Sequence, residues 1–504
     1  MKFLSILLIA ITILLTGCGG GGGSGIINPQ PKKYPIESTS TSPNPGTLEN
    51  YKAAKTYPTS DLKNFVQEKI CLPGTTSDVC QSNISNLATD FNFNLDQISN
   101  GNPVTAYTVQ YNTPGVKGEN RSVSGGVLIP QVPENQIKGI VLYFHGTRIV
   151  KYDVPSCFIN SEVSMDYCMG NSSDDGELLG GVLAAQGYIV VMPDYIGQGY
   201  DNVVLHPYVF YSKVNATSGL NMVTATRTLL SQLHMQSVIR NFYITGFSEG
   251  GAYALQASGI VQDPTNNFLQ TNLLNLKDTV GQSGAYDLTN AQLPMETDNL
   301  VLGDKYNVGD IFAATSAKPV LTGFLLSSYG FYDMDQVYTT LMQKEFLDCR
   351  SCLISGKSYT IPDLFTIYED PNFNNLNITL YITSAAAVTG YGVNGDNSAK
   401  ALIQSGLLEN SQFLASLASN SITNWSGGIT PIGLTYLNKD SVVTNLNSTN
   451  MYSQLLNPNK TAIVIDTSKY RYVDTVSHDV KLFDHGQSGV IQLIAALQQF
   501  NRYQ

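Results

Sequence analysis

The stretch Tyr243-Ile244-Thr245-Gly246-Phe247-Ser248-Glu249-Gly250-Gly251 constrains the fold more than any other part of the chain. An apolar run, suited to a buried strand, stops at Gly246. Ser248 follows two residues later, and Gly250, Gly251, Ala252 and Ala254 then open a helix-compatible segment. A G-x-S-x-G between a strand and a helix makes a bend so crowded that the positions two before and two after the serine must be nearly without side chain. The hydroxyl then stands clear of the sheet, and the N–H groups that open the helix can face a developing negative charge. Ser248 is therefore the candidate nucleophile.

The rest of the chain must supply a sheet around this bend. Of its 504 residues 42% are hydrophobic and only 13% charged, which excludes a disordered chain. The net charge of −11 argues against nucleic acid and against charge-driven adhesion to anionic lipid. Residues 106–111 and 122–130 alternate like half-exposed antiparallel strands. Gly139-Ile140-Val141-Leu142-Tyr143-Phe144 is a continuous apolar run, as in a central parallel strand. Helical spacing at 178–186 and 214–234 is interleaved with strands at 188–192 and 242–245, and a further strand is expected at 279–282. This rhythm predicts an α/β fold with a doubly wound, mostly parallel sheet. It pauses over 287–429, far longer than a loop, with helical pieces at 337–346 and 399–418 and a strand-like 376–383. That segment is read as a large inserted cap. Strands at 432–437 and 462–465 and helices at 448–456 and 490–500 complete the core. The expected organisation is core over 61–286, cap over 287–429 and core again over 430–504.

The N-terminus reads as targeting. Lys2 precedes the apolar run Phe3 to Leu15, which is shorter than the roughly 20 residues that span a bilayer. Leu15-Thr16-Gly17-Cys18 resembles the lipobox of bacterial lipoproteins. The resemblance implies removal of 1–17, a lipid on Cys18 and a flexible tether over 18–60, beginning with Gly19 to Gly23. The protein would be exported and held at a membrane, the outer one, facing the periplasm or the cell surface, through this anchor alone. The other six cysteines form an even set, as in an oxidising compartment. Proximity favours pairing Cys71 with Cys80, Cys157 with Cys168 and Cys349 with Cys352. The last pair is formally C-x-x-C, but the helical look of 341–348 before it does not suit a redox site, and no histidine near the cysteines supports a metal site.

A serine hydroxyl needs a base within hydrogen-bond reach and an acid that orients the base. Two histidines follow Ser248. His485, in Phe483-Asp484-His485-Gly486, lies directly before the final helix and is favoured; His478 lies earlier. Asp440, just past the strand at 432–437, is the favoured acid, and Asp466, past the strand at 462–465, its competitor. The oxyanion would be held by the amide of Glu249 and by that of Thr147 or Gly146, which follow the strand at 139–144. His145 reads as a structural loop residue.

These pieces, in this order, resemble an α/β-hydrolase of the secretory lipase-like esterase group. The resemblance rests on Tyr143-Phe144-His145-Gly146-Thr147, Met192-Pro193-Asp194-Tyr195-Ile196-Gly197-Gln198-Gly199, His206-Pro207-Tyr208 and Gly246-Phe247-Ser248-Glu249-Gly250-Gly251. The segments carrying Asp440 and His485 complete it. Leu437-Asn438 departs from the His-Gly common in that group, and the cap does not match. The resemblance implies a serine carboxylesterase or lipase acting on a small-molecule or lipid ester, without metal or other cofactor. A peptidase or acyltransferase on the same fold and a non-catalytic surface binding protein are the alternatives.

Overall fold

The computed structural model describes residues 44–148, 153–158, 175–201, 206–208, 212–235, 239–297, 328, 411–422, 425–475 and 477–503. Nine strands form one sheet: β1 (Leu48–Tyr57), β2 (Val104–Pro114), β3 (Asn120–Pro130), β4 (Gly139–Phe144), β5 (Tyr188–Pro193), β6 (Asn241–Phe247), β7 (Asn275–Gln282), β8 (Ile432–Leu437) and β9 (Lys460–Ile465). Their spatial order is β1-β2-β3-β5-β4-β6-β7-β8-β9. Pairing is antiparallel from β1 through β5 by way of β2 and β3, and parallel from β5 to β9. A small hairpin, β10 (Arg471–Val473) with β11 (Val480–Leu482), lies outside this sheet.

β4 and β5 are apolar without interruption because both faces are covered. In β4, Val141 and Tyr143 enter one core while Ile140, Leu142 and Phe144 enter the other, as the two-residue period of a strand requires. The first core is closed by α1 (Thr59–Ile70), α2 (Ser77–Phe91), α3 (Asp175–Ala185) and α7 (Gly489–Phe500); the second by α4 (Ser212–Gln232) and α5 (Glu249–Gln262). A further helix, α6 (Leu446–Gln454), packs at β8. Helices on both faces make the sheet doubly wound. All parallel strands point the same way, so the loops after β4, β5, β6, β7 and β8 emerge at one edge, where such sheets carry their sites.

Three differences from the sequence expectation have physical causes. The ordered chain begins before Asp61: β1 occupies part of the expected tether and pairs along β2. Its residues, LENYKAAKTY, are mostly solvent-exposed and carry two lysines, as an edge strand tolerates, so it has no apolar period to read. Second, β3 is buried continuously from Val123 to Pro130 rather than alternating, because it lies between two strands with packing on both faces. Third, the element boundaries at 104–114 and 275–282 extend beyond the apolar runs into polar residues that the ladder still pairs.

Cys71 and Cys80 form a disulfide between α1 and α2, and Cys157 is also disulfide-bonded. Cys18, Cys168, Cys349 and Cys352, the segment 1–17 and most of the expected cap lie outside the described residues. Of the cap, Leu293–Thr297 and Ser411–Asn420 are helical. Among the described residues no helix is long and apolar enough to cross a membrane.

Candidate active site

Ser248 sits between β6 and α5 with φ 57° and ψ −120°. A non-glycine residue in that region stores about 1–3 kcal/mol of strain, so the surroundings must enforce it. They do so by proximity. A Cβ on Gly246 would come within 3.0 Å of the Gly250 carbonyl and of Phe144 Cβ, and one on Gly250 would strike the carbonyls of Phe144 and His145. The Ser248 amide donates to the Gln282 carbonyl of β7 at 2.8 Å, and the Gly251 amide to the Ser248 carbonyl at 2.9 Å. The bend is thus bolted to both neighbouring strands, and the serine keeps 6% of its surface exposed.

Asp440 follows β8 and is buried. Its Oδ1 accepts from the amides of Val442 and Val443 at 2.9 and 2.8 Å, which fixes the carboxylate and leaves Oδ2 for His485 Nδ1 at 2.8 Å. Because Nδ1 faces a carboxylate, the ring's free acceptor is Nε2. That atom is buried and has no hydrogen-bond partner. The imidazole stacks on Phe247, the residue before Ser248, with centroids 4.8 Å apart. The stack holds the His485 ring against the residue that precedes Ser248, and no hydrogen bond joins Nε2 to the serine.

The structure separates the competing candidates. Asp466 caps a turn, accepting from Ser468 N at 3.0 Å and Asn438 Nδ2 at 3.2 Å. His478 is exposed, with φ 57°, in the turn of the β10–β11 hairpin. His145 is buried, its Nδ1 donates to the Gly146 carbonyl at 2.7 Å, and its ring stacks on Tyr195 at 4.1 Å. Burial first, and then the Arg148 charge, push its pKa down to about 3, so this imidazole stays neutral.

The start of α5 and the loop after β4 both lie beside Ser248. Glu249 is the first residue of α5, so its N–H has no intrahelical acceptor. A Cβ built on Gly146 would lie 3.5 Å from Ser248 Cβ, which brings the loop after β4 alongside the serine. Thr147 Oγ1 is held by Tyr208 Oη at 3.1 Å.

Several residues of the site carry no motif and were not expected. Asp484 Oδ1 accepts from Ser441 N at 2.9 Å and His485 N at 2.7 Å, tying the acid loop to the histidine loop. Burial and the nearby Asp440 charge push its pKa up to about 6. Gln492, fully buried in α7, donates to Ser488 Oγ at 3.0 Å and Ser283 Oγ at 2.9 Å and accepts from Thr435 Oγ1 at 3.0 Å. Ser488 Oγ in turn donates to the His485 carbonyl at 2.8 Å. This polar post anchors the histidine loop to the strand ends. The only signal in the sequence is that Gln492 interrupts a mostly apolar helix, on the same face as the buried Gln499.

The fold and the edge cluster define an α/β-hydrolase fold. Among solved structures the chain is similar to a candidate hydrolase from Legionella pneumophila, at TM-score 0.60 and 16% identity, over 90% of this chain and 98% of that one. It is also similar to the rice cell wall degrading esterase LipA from Xanthomonas oryzae, at TM-score 0.56 and 17% identity, over 92% of this chain and 100% of that one. At these identities the likeness is one of fold. No protein-family model matches the chain, and no curated protein does.

Proposed function

We propose that this protein is a serine carboxylic ester hydrolase, an esterase or lipase, working through an acyl-enzyme on Ser248, His485 and Asp440. The observation that carries the reading is the buried 2.8 Å pair of His485 Nδ1 and Asp440 Oδ2, whose outer nitrogen is left unpartnered while the ring stacks on Phe247, the residue before the strained serine. Nε2 takes the Ser248 proton as the oxygen attacks the ester carbonyl. The amides of Glu249 and of Thr147 or Gly146 hold the oxyanion. His485 then gives the proton to the leaving alcohol, and water repeats the sequence on the acyl-enzyme. Similarity of fold to a hydrolase and an esterase supports the reading without fixing a substrate.

The anchor belongs to the same proposal. A lipid on Cys18 would hold the enzyme at a bacterial membrane, and mass spectrometry of the N-terminal peptide tests it: an unmodified thiol there removes the anchor. For catalysis the test is Ser248→Ala on p-nitrophenyl acyl esters of graded length. Loss of the nucleophile in such triads costs about 10⁶ in kcat; near-normal hydrolysis by the variant sinks the assignment. Turnover of aminoacyl amides in preference to esters would move the reading to a peptidase.

A further inference from the structure

The segment His206-Pro207-Tyr208 lies about 40 residues before the serine and has no part in the acyl-transfer steps. It nevertheless touches both halves of the oxyanion site. His206 Nε2 meets Glu249 Oε1 at 2.7 Å, and both side chains are buried. Tyr208 Oη meets Thr147 Oγ1 at 3.1 Å. Between these contacts runs a ring stack: Tyr195 lies against both His145, at 4.1 Å, and His206, at 5.7 Å. Tyr195 Oη donates to the His145 carbonyl at 2.7 Å, one residue before Gly146.

Donor and acceptor counting fixes the proton content of the His206–Glu249 pair. His206 Nδ1 faces the Ile196 carbonyl at 2.9 Å, so it must carry a hydrogen. Tyr253 Oη accepts from Asn215 Nδ2 at 3.0 Å, so its own hydrogen goes to Glu249 Oε1. One more proton then lies between His206 Nε2 and Glu249 Oε1. Whichever atom holds it, the pair is neutral. Without His206, an ionised Glu249 has no counter-charge beside it and an unpartnered, buried Oε2, on the residue whose amide would stabilise an oxyanion. A charge there opposes the transition state in a low-dielectric site.

We infer that His206-Pro207-Tyr208 is a clamp on the oxyanion site: His206 neutralises and positions Glu249, and Tyr208 positions Thr147. Both act as positioning residues and touch no substrate. The inference rests on the esterase reading, and its tests separate the two.

The experiment measures kcat, KM and Tm on p-nitrophenyl butyrate for wild type, His206→Gln, Glu249→Gln, the double variant and Tyr208→Phe, with Ser248→Ala as reference. His206→Gln leaves the carboxylate without its proton source, and kcat falls about 10²-fold at nearly constant KM, the scale of losing one oxyanion donor. Adding Glu249→Gln removes the stranded charge and restores at least tenfold of that loss. A role in folding alone gives no such rescue. His206→Gln with kcat within threefold of wild type, or a double variant no faster than His206→Gln, overturns the clamp. If His206→Gln does not fold, Tyr208→Phe decides, since it removes one hydroxyl. A kcat reduced about tenfold at unchanged Tm supports the clamp, and an unchanged kcat overturns it. Wild-type activity equal to that of Ser248→Ala defeats the esterase reading instead. Activity that Ser248→Ala abolishes and the clamp variants leave intact defeats the clamp alone.

Discussion

Gly250 lies directly against the carbonyl of Phe144, so close that no Cβ could stand between them. This contact joins the start of α5 to the end of β4 and brings the loop bearing Gly146 and Thr147 beside Ser248. A steric requirement at one glycine thereby sets the spacing between the serine bend and the loop proposed to hold the oxyanion.

Gly250→Ala should accordingly destabilise the protein by about 1–3 kcal/mol, the usual cost of overpacking. The neighbours of the new methyl group are backbone carbonyls, which cannot swing aside. Denaturant unfolding checks this. A variant with wild-type midpoint and wild-type kcat would show that the contact is looser than described.

Asp440→Asn should leave KM close to wild type and lower kcat by about 10⁴, because the amide favours the wrong imidazole tautomer at His485. Val442 N and Val443 N still find an acceptor in the asparagine oxygen, so Tm should change little. A loss of activity that tracks a loss of folded protein would instead make Asp440 a structural residue.

Asp484 makes stability depend on pH. Its folded pKa, about 6, lies above the ordinary carboxylate value because of burial and the Asp440 charge. The folded state therefore binds more protons than the unfolded one between about pH 4 and 6, and stability falls as pH rises through that window. Asp484→Asn removes this contribution while keeping an oxygen for the Ser441 and His485 amides. Measured by Tm from pH 4 to 7, the variant should gain on wild type as pH rises. A Tm difference independent of pH would contradict the raised acid.

Gln492→Leu strands the hydroxyls of Ser283 and Thr435 and removes the donor to Ser488 Oγ at the foot of the histidine loop. Leaving buried polar groups unsatisfied costs about 1–3 kcal/mol each, and the Ser488 hydroxyl that holds the His485 carbonyl loses its own anchor. Lower stability together with a reduced kcat is expected from urea titration and ester assay. Destabilisation with kcat unchanged would confine Gln492 to the core.

Much of the framework was legible in the chain. The bend at Ser248 was readable because its steric demand shows in closely spaced residues: Gly246 meets Gly250 within the turn, and Gly250 and Gly251 leave room for the backbone at the ends of β4 and β7. Strands β4 and β8 were readable residue for residue, since burial on both faces leaves an uninterrupted apolar run in β4 and a mostly apolar one in β8. β1 was not, because an exposed edge strand is held by backbone pairing that any side chain permits. Asp440 and His485 could be proposed from their places after a strand and before a helix, but position alone left Asp466 and His478 in contention.

The sequence by itself determined the strained bend, the alternation of strands and helices, and a short choice of acids and bases, because each depends on residues within a few positions of one another. Only the tertiary structure decided that His485 meets Asp440, 45 residues away, that His206 meets Glu249, 43 residues away, and that Gln492 reaches Ser283, 209 residues away. Such partners are chosen by the packing of whole strands and helices, which brings polar atoms to bonding distance in a core where water cannot substitute for them.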